Sequence, residues 1–440
     1  MLTNLFKDHL RVQRERTDAA MAACGFDSLA IYAGGPHVQF LDDQPYPFKT
    51  NAHFKLWVPL PDAQDCWLVY RPAQPLQLIF VQPIDYWYKP PQTPADFWTP
   101  QFQITIIRTA EQAKAHVSDL PHCAFIGEWR DEFADWGFAD CNPPTLLNRL
   151  HYARAIKTAY EIECMRRACS RAASGHKAAE AAFSAGASEY DIHLAYLRAA
   201  QCTDNELPYP SIVALNGNAA VLHYQRLERS APGAQTRRSF LIDAGAEFNG
   251  YASDVTRTYS YAHEEFGALI DGMHRLQQAL CSQVRDGVEY TAIHIDAHLR
   301  IANLLHEAGI IHARDAEAVE SGLTGVFFPH GIGHLLGLQV HDVGGFMASA
   351  DGAEKRAPPE HPYLRLTRRL QPGFVVTIEP GIYFIDALLE KARNSTHARQ
   401  IDWRQVDQFR PCGGIRIEDD VACTEGEPEN LTRAAFVAHG

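Results

Sequence analysis

The chain has 440 residues, 46% of them hydrophobic, enough for a sizeable core and long enough for two domains. Its formal net charge of −13 argues against a nucleic-acid partner, whose phosphates are normally met by clustered Lys and Arg. No stretch approaches the ~18 apolar residues of a membrane span, and Lys7 and Asp8 bring charge too early for a secretory leader.

Ten cysteines are scattered without a Cys-x-x-Cys pair, which disfavours a zinc knuckle or a thioredoxin motif. The expectation is a cytoplasmic protein with reduced thiols and no membrane association.

Residues 1–155 read as an α/β domain, with a helix-prone start and the strand-like runs Ser28–Ala33, Trp67–Tyr70 and Leu76–Val81. Within it, Asp42-Asp43-Gln-Pro-Tyr-Pro-Phe48 has the composition of a turn. Pro143-Pro144 and the helix-prone stretch Thr158–Arg167 put a boundary near Ala155, leaving 156–440 as a second domain.

That domain alternates twice, with helices expected over 158–200, strands over 211–260, helices over 265–308 and strands over 326–423. Ser188-Glu-Tyr-Asp191 resembles a helix-starting capping box. Residues 349–360 and 390–411 are polar and lack periodicity, so both read as loops.

Asp243 and Asp254 flank Asn249-Gly250 between strand-like runs, a strong signal for a type I′ hairpin. With those two residues at the turn, paired positions sum to 499 and Asp254 lies opposite Gly245. Asp243 is then a diagonal neighbour on the same face, about 7 Å away. The segment alone is equally compatible with two aspartates on a solvent-facing hairpin.

Phe327–Asp342 concentrates His330, His334 and His341 among Gly331, Gly333 and Gly337, which argues against a regular helix. The backbone is expected to bend closely around something, with one histidine a ligand and two facing a substrate. Glu379 ends the apolar run Phe374–Ile378 just before Pro380-Gly381, where a buried acid needs a cation. In Gly414–Val421 the period-two alternation sets Arg416 and Glu418 on the face opposite Ile415 and Ile417, which an ordinary ion pair would also explain.

Asp243, Asp254, His334, Glu379 and Glu418 thus form a hard, oxygen-rich donor set suited to Mn²⁺ or a similar ion. Four carboxylates would balance two divalent cations, the requirement of a two-metal hydrolase.

These motifs resemble the metal-dependent peptidases of the pita-bread fold, the group of aminopeptidase P, methionine aminopeptidase and prolidase. Asp-x₁₀-Asp, His330-Gly-x-Gly-His334, Ile378-Glu-Pro-Gly381 and Ile415-Arg-Ile-Glu418 occur in that family's order. Phe40–Lys49, Gln339–Gly345 and Leu364–Gly373 are similar to bacterial prolidases, so the resemblance covers nearly the whole chain.

The resemblance implies an α/β N-terminal domain serving dimerisation and pocket closure. Behind it would follow an α+β creatinase/aminopeptidase-like catalytic domain, with a pseudo-twofold curved antiparallel sheet covered by helices. It implies that Asp243 binds one metal, that Asp254 and Glu418 bridge, and that His334 and Glu379 hold the other, with a hydroxide between the ions. Mn²⁺ is expected, with Co²⁺ and Zn²⁺ as alternatives.

By the same resemblance Glu379 shuttles a proton, while His223, His330 and His341 face the substrate and Tyr209 lies near the metals. Arg416 supports the ligands, and Arg365 is the candidate fork for a free carboxylate, although it also reads as part of a solvated cluster with Arg368 and Arg369. Asp43 and Trp87 would contribute to pocket closure in a homodimer.

The implied activity is hydrolysis of Xaa-Pro dipeptides, with organophosphate esters as a second substrate class. The alternatives are an aminopeptidase P acting on longer peptides, a metal-free creatinase-like enzyme, and a non-catalytic peptide-binding module.

Overall fold

The computed structural model describes residues 2–439, which divide into two units. The first runs to Arg154 and also takes in 158–161 and 349–353; the second comprises the remainder.

The first unit begins with helix α1 (Leu2–Cys24), which buries Phe6, Leu10, Ala20 and Met21. Its six strands are β1 (Ser28–Tyr32), β2 (Trp67–Tyr70), β3 (Leu76–Val81), β4 (Phe102–Ile107), β5 (Cys123–Ile126) and β6 (Asp140–Cys141). They form one mixed sheet in the order β4-β3-β2-β1-β5-β6, with β1 antiparallel to β2 and parallel to β5. Every residue of β1, β2 and β5 is buried, which is why β1 and β2 read as continuous apolar runs rather than alternating ones. The short helices α2 (Ala52–Lys55) and α3 (Lys114–Val117) and the longer α4 (Pro144–Arg154) complete the unit. Pro144 opens α4, where a missing backbone N–H costs nothing.

The second unit starts with α5 (Ala159–Ala185, in this unit from Ile162 on) and α6 (Glu189–Ala200). The Ser188 hydroxyl caps α6 by accepting the Asp191 N–H, as the sequence motif requires. Both helices pack through Phe183, Ile192 and Tyr196 on Val213, Phe240 and Ile242 of β7 (Ile212–Leu215) and β8 (Ser239–Asp243).

The chain then makes the hairpin through β9 (Glu247–Phe248), β10 (Tyr251–Ala252) and β11 (Thr256–Ser260). Asn249 and Gly250 have φ of 51° and 85°, the paired positive values of a type I′ turn. The register expected from sequence holds from Tyr251↔Phe248 at the turn to Ser260↔Ser239 at the far end.

The other half repeats the theme. Helices α7 (Glu264–Cys281) and α8 (Tyr290–Glu307), followed by the short α9 (Asp315–Glu320), share a core with β12 (Val375–Ile378) and later strands through Phe266, Met273, Ile293, Val376 and Ile415. After β13 (Gly381–Tyr383) come α10 (Asp386–Arg393), α11 (Trp403–Phe409), β14 (Gly414–Arg416), β15 (Asp419–Ala422), β16 (Glu429–Asn430) and α12 (Leu431–Ala438). All pairings here are antiparallel, and the bridge Thr256↔Glu418 joins the two halves. The three-stranded sheets β11-β8-β7 and β12-β15-β16, each backed by a helix pair, carry the pseudo-twofold arrangement.

Two expectations are corrected. Residues 327–374 contain no strand, only isolated bridges such as Leu335↔Val376. Glycines and prolines deny this segment a continuous ladder, and its backbone bonds β12 piecemeal, as in Thr377 N–H to the His334 carbonyl at 3.0 Å. Conversely, 390–411 is largely helical: the Asp402 carboxylate caps α11 by accepting from Arg404 and Gln405, and Val406 and Phe409 are buried. Seven residues make two turns, too few for a period to emerge from sequence.

Among the described residues no helix is long and apolar enough to cross a membrane. All ten cysteines are free thiols.

Candidate metal centre

A cavity of about 620 Å³ opens within the second unit. Its lining includes Asp243, Asp254, His334, Glu379 and Glu418, together with His223, His330, His341, Arg365 and Arg416. Asp243 closes β8 and Asp254 precedes β11, on the same side of the hairpin because the turn fixes the register. Glu379 follows the last residue of β12, and Glu418 lies between β14 and β15.

His334 is aimed by its backbone. Its N–H donates to Thr377 Oγ1 at 3.1 Å, and its ring Nδ1 lies 3.0 Å from the Leu335 carbonyl, which can only accept. Nδ1 therefore carries the proton and Nε2 faces the acids, 3.4 Å from Asp254 and 3.7 Å from Glu379. Gly333 makes the turn possible: its φ is +151°, and a Cβ there would lie 2.2 Å from the Thr377 carbonyl oxygen.

The carboxylates are held from behind. Asp243 accepts from Tyr209 Oη at 2.8 Å on one oxygen and from Arg416 Nη2 at 2.6 Å on the other. Glu418 accepts from Thr256 Oγ1 at 2.7 Å, and the Asp254 N–H donates to the Asp420 carboxylate at 3.1 Å. Arg416 therefore pairs with Asp243 rather than with Glu418, its neighbour two residues along the chain.

The donor set fits divalent metal. Asp254, His334 and Glu418 each offer one ligand atom, all within 4.8 Å of one another and all on buried residues. Burial pushes Glu379 up to about 7 against the pull of His334 and Arg416, and burial with repulsion from Asp254, Glu379 and Asp243 drives Glu418 well above the carboxylate range. Burial also works to raise Asp254, but the His334 imidazole beside it holds that carboxyl below its usual value. Four carboxylates converging around a single buried guanidinium are the electrostatic signature of a cation site.

Two family models match the chain: the N-terminal domain of Xaa-Pro dipeptidase over residues 4–152 and metallopeptidase family M24 over 163–425. The chain belongs to metallopeptidase family M24. It is 49% identical over 436 residues to a Xaa-Pro dipeptidase of Stenotrophomonas maltophilia, covering 99% of this chain and 98% of the relative. To the Xaa-Pro dipeptidase of Xanthomonas campestris it is 50% identical over 442 residues, covering 99% of both. The fold matches proline aminopeptidase P II from Yersinia pestis with a TM-score of 0.71 at 22% identity, covering 99% of this chain and 97% of that one. It is the pita-bread fold, and as an M24 enzyme the chain is a hydrolase that uses divalent metal ions.

Around this M24 centre the other candidates separate. His330 donates from Nδ1 to the Gly331 carbonyl at 2.8 Å, leaving Nε2 to accept from Tyr383 Oη at 2.9 Å. Burial, then the nearby Arg416 charge, holds His330 down to about 3. Burial likewise holds His341 down to about 4, assisted by His334 and Arg365.

The basic cluster read at 365–369 disperses. Arg368 is buried over the Phe374 ring, Arg369 pairs with Glu289, and Arg365 lines the cavity without an acidic partner among the described residues. Tyr209 is not in the lining and acts through Asp243. Asp43 and Trp87 are exposed residues of the first unit and are not in the lining either; Asp43 accepts from Gln44, and Trp87 packs on Tyr86.

Sequence reading missed Tyr383, which accepts from Arg416 Nη1 at 2.9 Å while donating to His330. Its link to Arg416 emerges only in the fold, where the short β13 pairs with the strand of Arg416. Thr377, which fixes the His334 backbone, was missed as well.

Proposed function

We propose that the chain is a Xaa-Pro dipeptidase whose Asp243, Asp254, His334, Glu379 and Glu418 would hold two Mn²⁺ ions. The convergence of Asp254, His334 and Glu418 within 4.8 Å carries this reading, and the oxygen-rich donor set favours a hard ion. Divalent metal at these donors supplies Lewis acidity toward the scissile carbonyl and makes water acidic enough to give a nucleophile near neutral pH.

The chain's own residues do the rest. Glu379, 17% exposed toward the cavity, takes the proton from the attacking water and returns it to the leaving proline nitrogen. Arg416 and Tyr209 fix Asp243 from both sides, and Tyr383 passes the orientation of Arg416 on to His330. His330, His341 and His223 line the space beside the scissile bond. Arg365, with no acid of its own, binds the free carboxylate of the second residue through its planar fork. That demand for a terminal carboxylate favours dipeptides over longer chains.

The first unit exposes Phe40, Leu41, Ile84, Tyr86 and Trp87, each at 78% or more, which supports a homodimer in which a second copy covers these loops. Asp43 and Trp87 would then help close the pocket. Ten free thiols suit a reducing compartment, so the cytoplasm is the proposed location.

Hydrolysis of Gly-Pro tests the reading. Chelation should abolish turnover and Mn²⁺ should restore it, whereas unchanged turnover in metal-stripped protein would point to creatinase-like chemistry. Faster cleavage of a Gly-Pro-containing tripeptide than of Gly-Pro would assign the chain to aminopeptidase P activity instead.

A further inference from the structure

A second cluster of metal-ligating side chains lies apart from the carboxylates. His294 and His298 stand four residues apart on α8 and so share one face of that helix. His361 meets them from a separate segment, with ring centroids 4.4 Å from His294 and 4.8 Å from His298. The three rings each offer one nitrogen, all within 4.8 Å of one another.

Packing alone does not account for this. His294 is 2% exposed, and its Nδ1 is buried with no hydrogen-bond partner. An orphaned buried polar atom is destabilising, a cost that a bound ion would offset. His298 is already oriented to hold such an ion, because its Nδ1 bonds Thr324 Oγ1 at 2.9 Å and leaves Nε2 for a ligand. Burial keeps both helix rings uncharged near neutral pH, the form in which imidazole binds metal.

We propose that His294, His298 and His361 form a second metal site, which takes one imidazole-preferring transition ion of the Zn²⁺ type. Three nitrogens and no carboxylate distinguish its chemistry from the hard site, so the two select different ions. Its effect is a cross-link. His361 directly precedes Pro362, Tyr363, Leu364 and Arg365, all of which line the catalytic cavity. Phe328 packs against both His298 and His330, at 4.9 Å and 4.8 Å. An ion here ties the cavity wall that carries Arg365 to α8.

The test uses the full chain held at saturating Mn²⁺ and dialysed against Zn²⁺, with both metals counted by elemental analysis. Wild type should take up one further equivalent of zinc without losing manganese. His361→Ala and His298→Gln should each weaken that uptake at least ~100-fold, while Asp254→Asn, which strikes the carboxylate site, should keep it. Zinc should also raise the melting temperature of the wild type and leave that of His361→Ala unchanged. His361 lies on a loop and is only partly buried, so its replacement is not expected to prevent folding. No extra equivalent in wild type, zinc gained only as manganese is lost, or uptake that persists in both histidine variants would each overturn the proposal. None of these results depends on which peptide the enzyme cleaves.

Discussion

Arg416 is the side chain that ties the candidate site together, because it donates to Asp243, Tyr383 and Thr256 at once. Lysine carries the same charge but cannot make three directed bonds from a planar fork. Arg416→Lys should therefore lower kcat by at least about tenfold, read in Gly-Pro hydrolysis at saturating Mn²⁺, with the fold intact by circular dichroism. Tyr209 acts one step further back. Tyr209→Phe removes the Asp243 bond without changing shape, so metal affinity should fall by roughly 10–100-fold, measured by titration of the apoprotein. An unchanged affinity would mean that Asp243 is held by Arg416 alone. The residues missed from sequence, Tyr383 and Thr377, belong to this same tier. They work through hydrogen bonds between distant segments, and nothing local in their own stretches of chain encodes those bonds.

At the level of elements, the hairpin was legible and the connecting segments were not, for one reason. Asn249-Gly250 encodes a specific pair of positive φ values, and period-two geometry then propagates the register without tertiary help. Residues 327–374 are shaped instead by contacts with β12, and α11 is too short to display a helical period. Gly250→Ala should cost about 1 kcal/mol through its φ of +85°, seen as a melting point lower by a few degrees with metal affinity retained. Gly333→Ala should be far worse. A methyl placed 2.2 Å from the Thr377 carbonyl oxygen must displace β12 or His334, and we expect a loss above ~4 kcal/mol, seen as failure of the catalytic unit to accumulate in soluble form. Normal yield and activity of that variant would show that the segment can move aside.

Across the whole molecule, buried histidines should weaken the fold as the pH falls. Burial holds His176 down to about 3, and burial with the Arg433 charge holds His274 down to about 4, both from an ordinary 6.5. As pH falls below 6.5, the unfolded chain takes up protons that the folded chain refuses. The contribution of these groups is thus complete above about pH 6.5 and drains away toward their folded values, at up to ~1.4 kcal/mol per pH unit for each group. Urea unfolding at about pH 7 and about pH 5 should show the loss, and His176→Gln should reduce the slope by about one proton. Equal stability at the two pH values would contradict the burial assigned to these rings. The five candidate donors, which the structure brings to one cavity, could be picked out because each sits in a short distinctive motif. The trihistidine cluster could not, since His361 is far along the chain from His294 and His298 and is joined to them only by packing against α8.

The two halves of the second unit meet at Thr256 and Glu418, and the proposed donors are divided between them: Asp243 and Asp254 on one side, His334, Glu379 and Glu418 on the other. A polypeptide severed at the bend between β11 and α7 would yield two fragments, each with only part of the proposed donor set. Ion capture by the mixture but by neither fragment alone would make chelation a gauge of how completely the halves had reassembled.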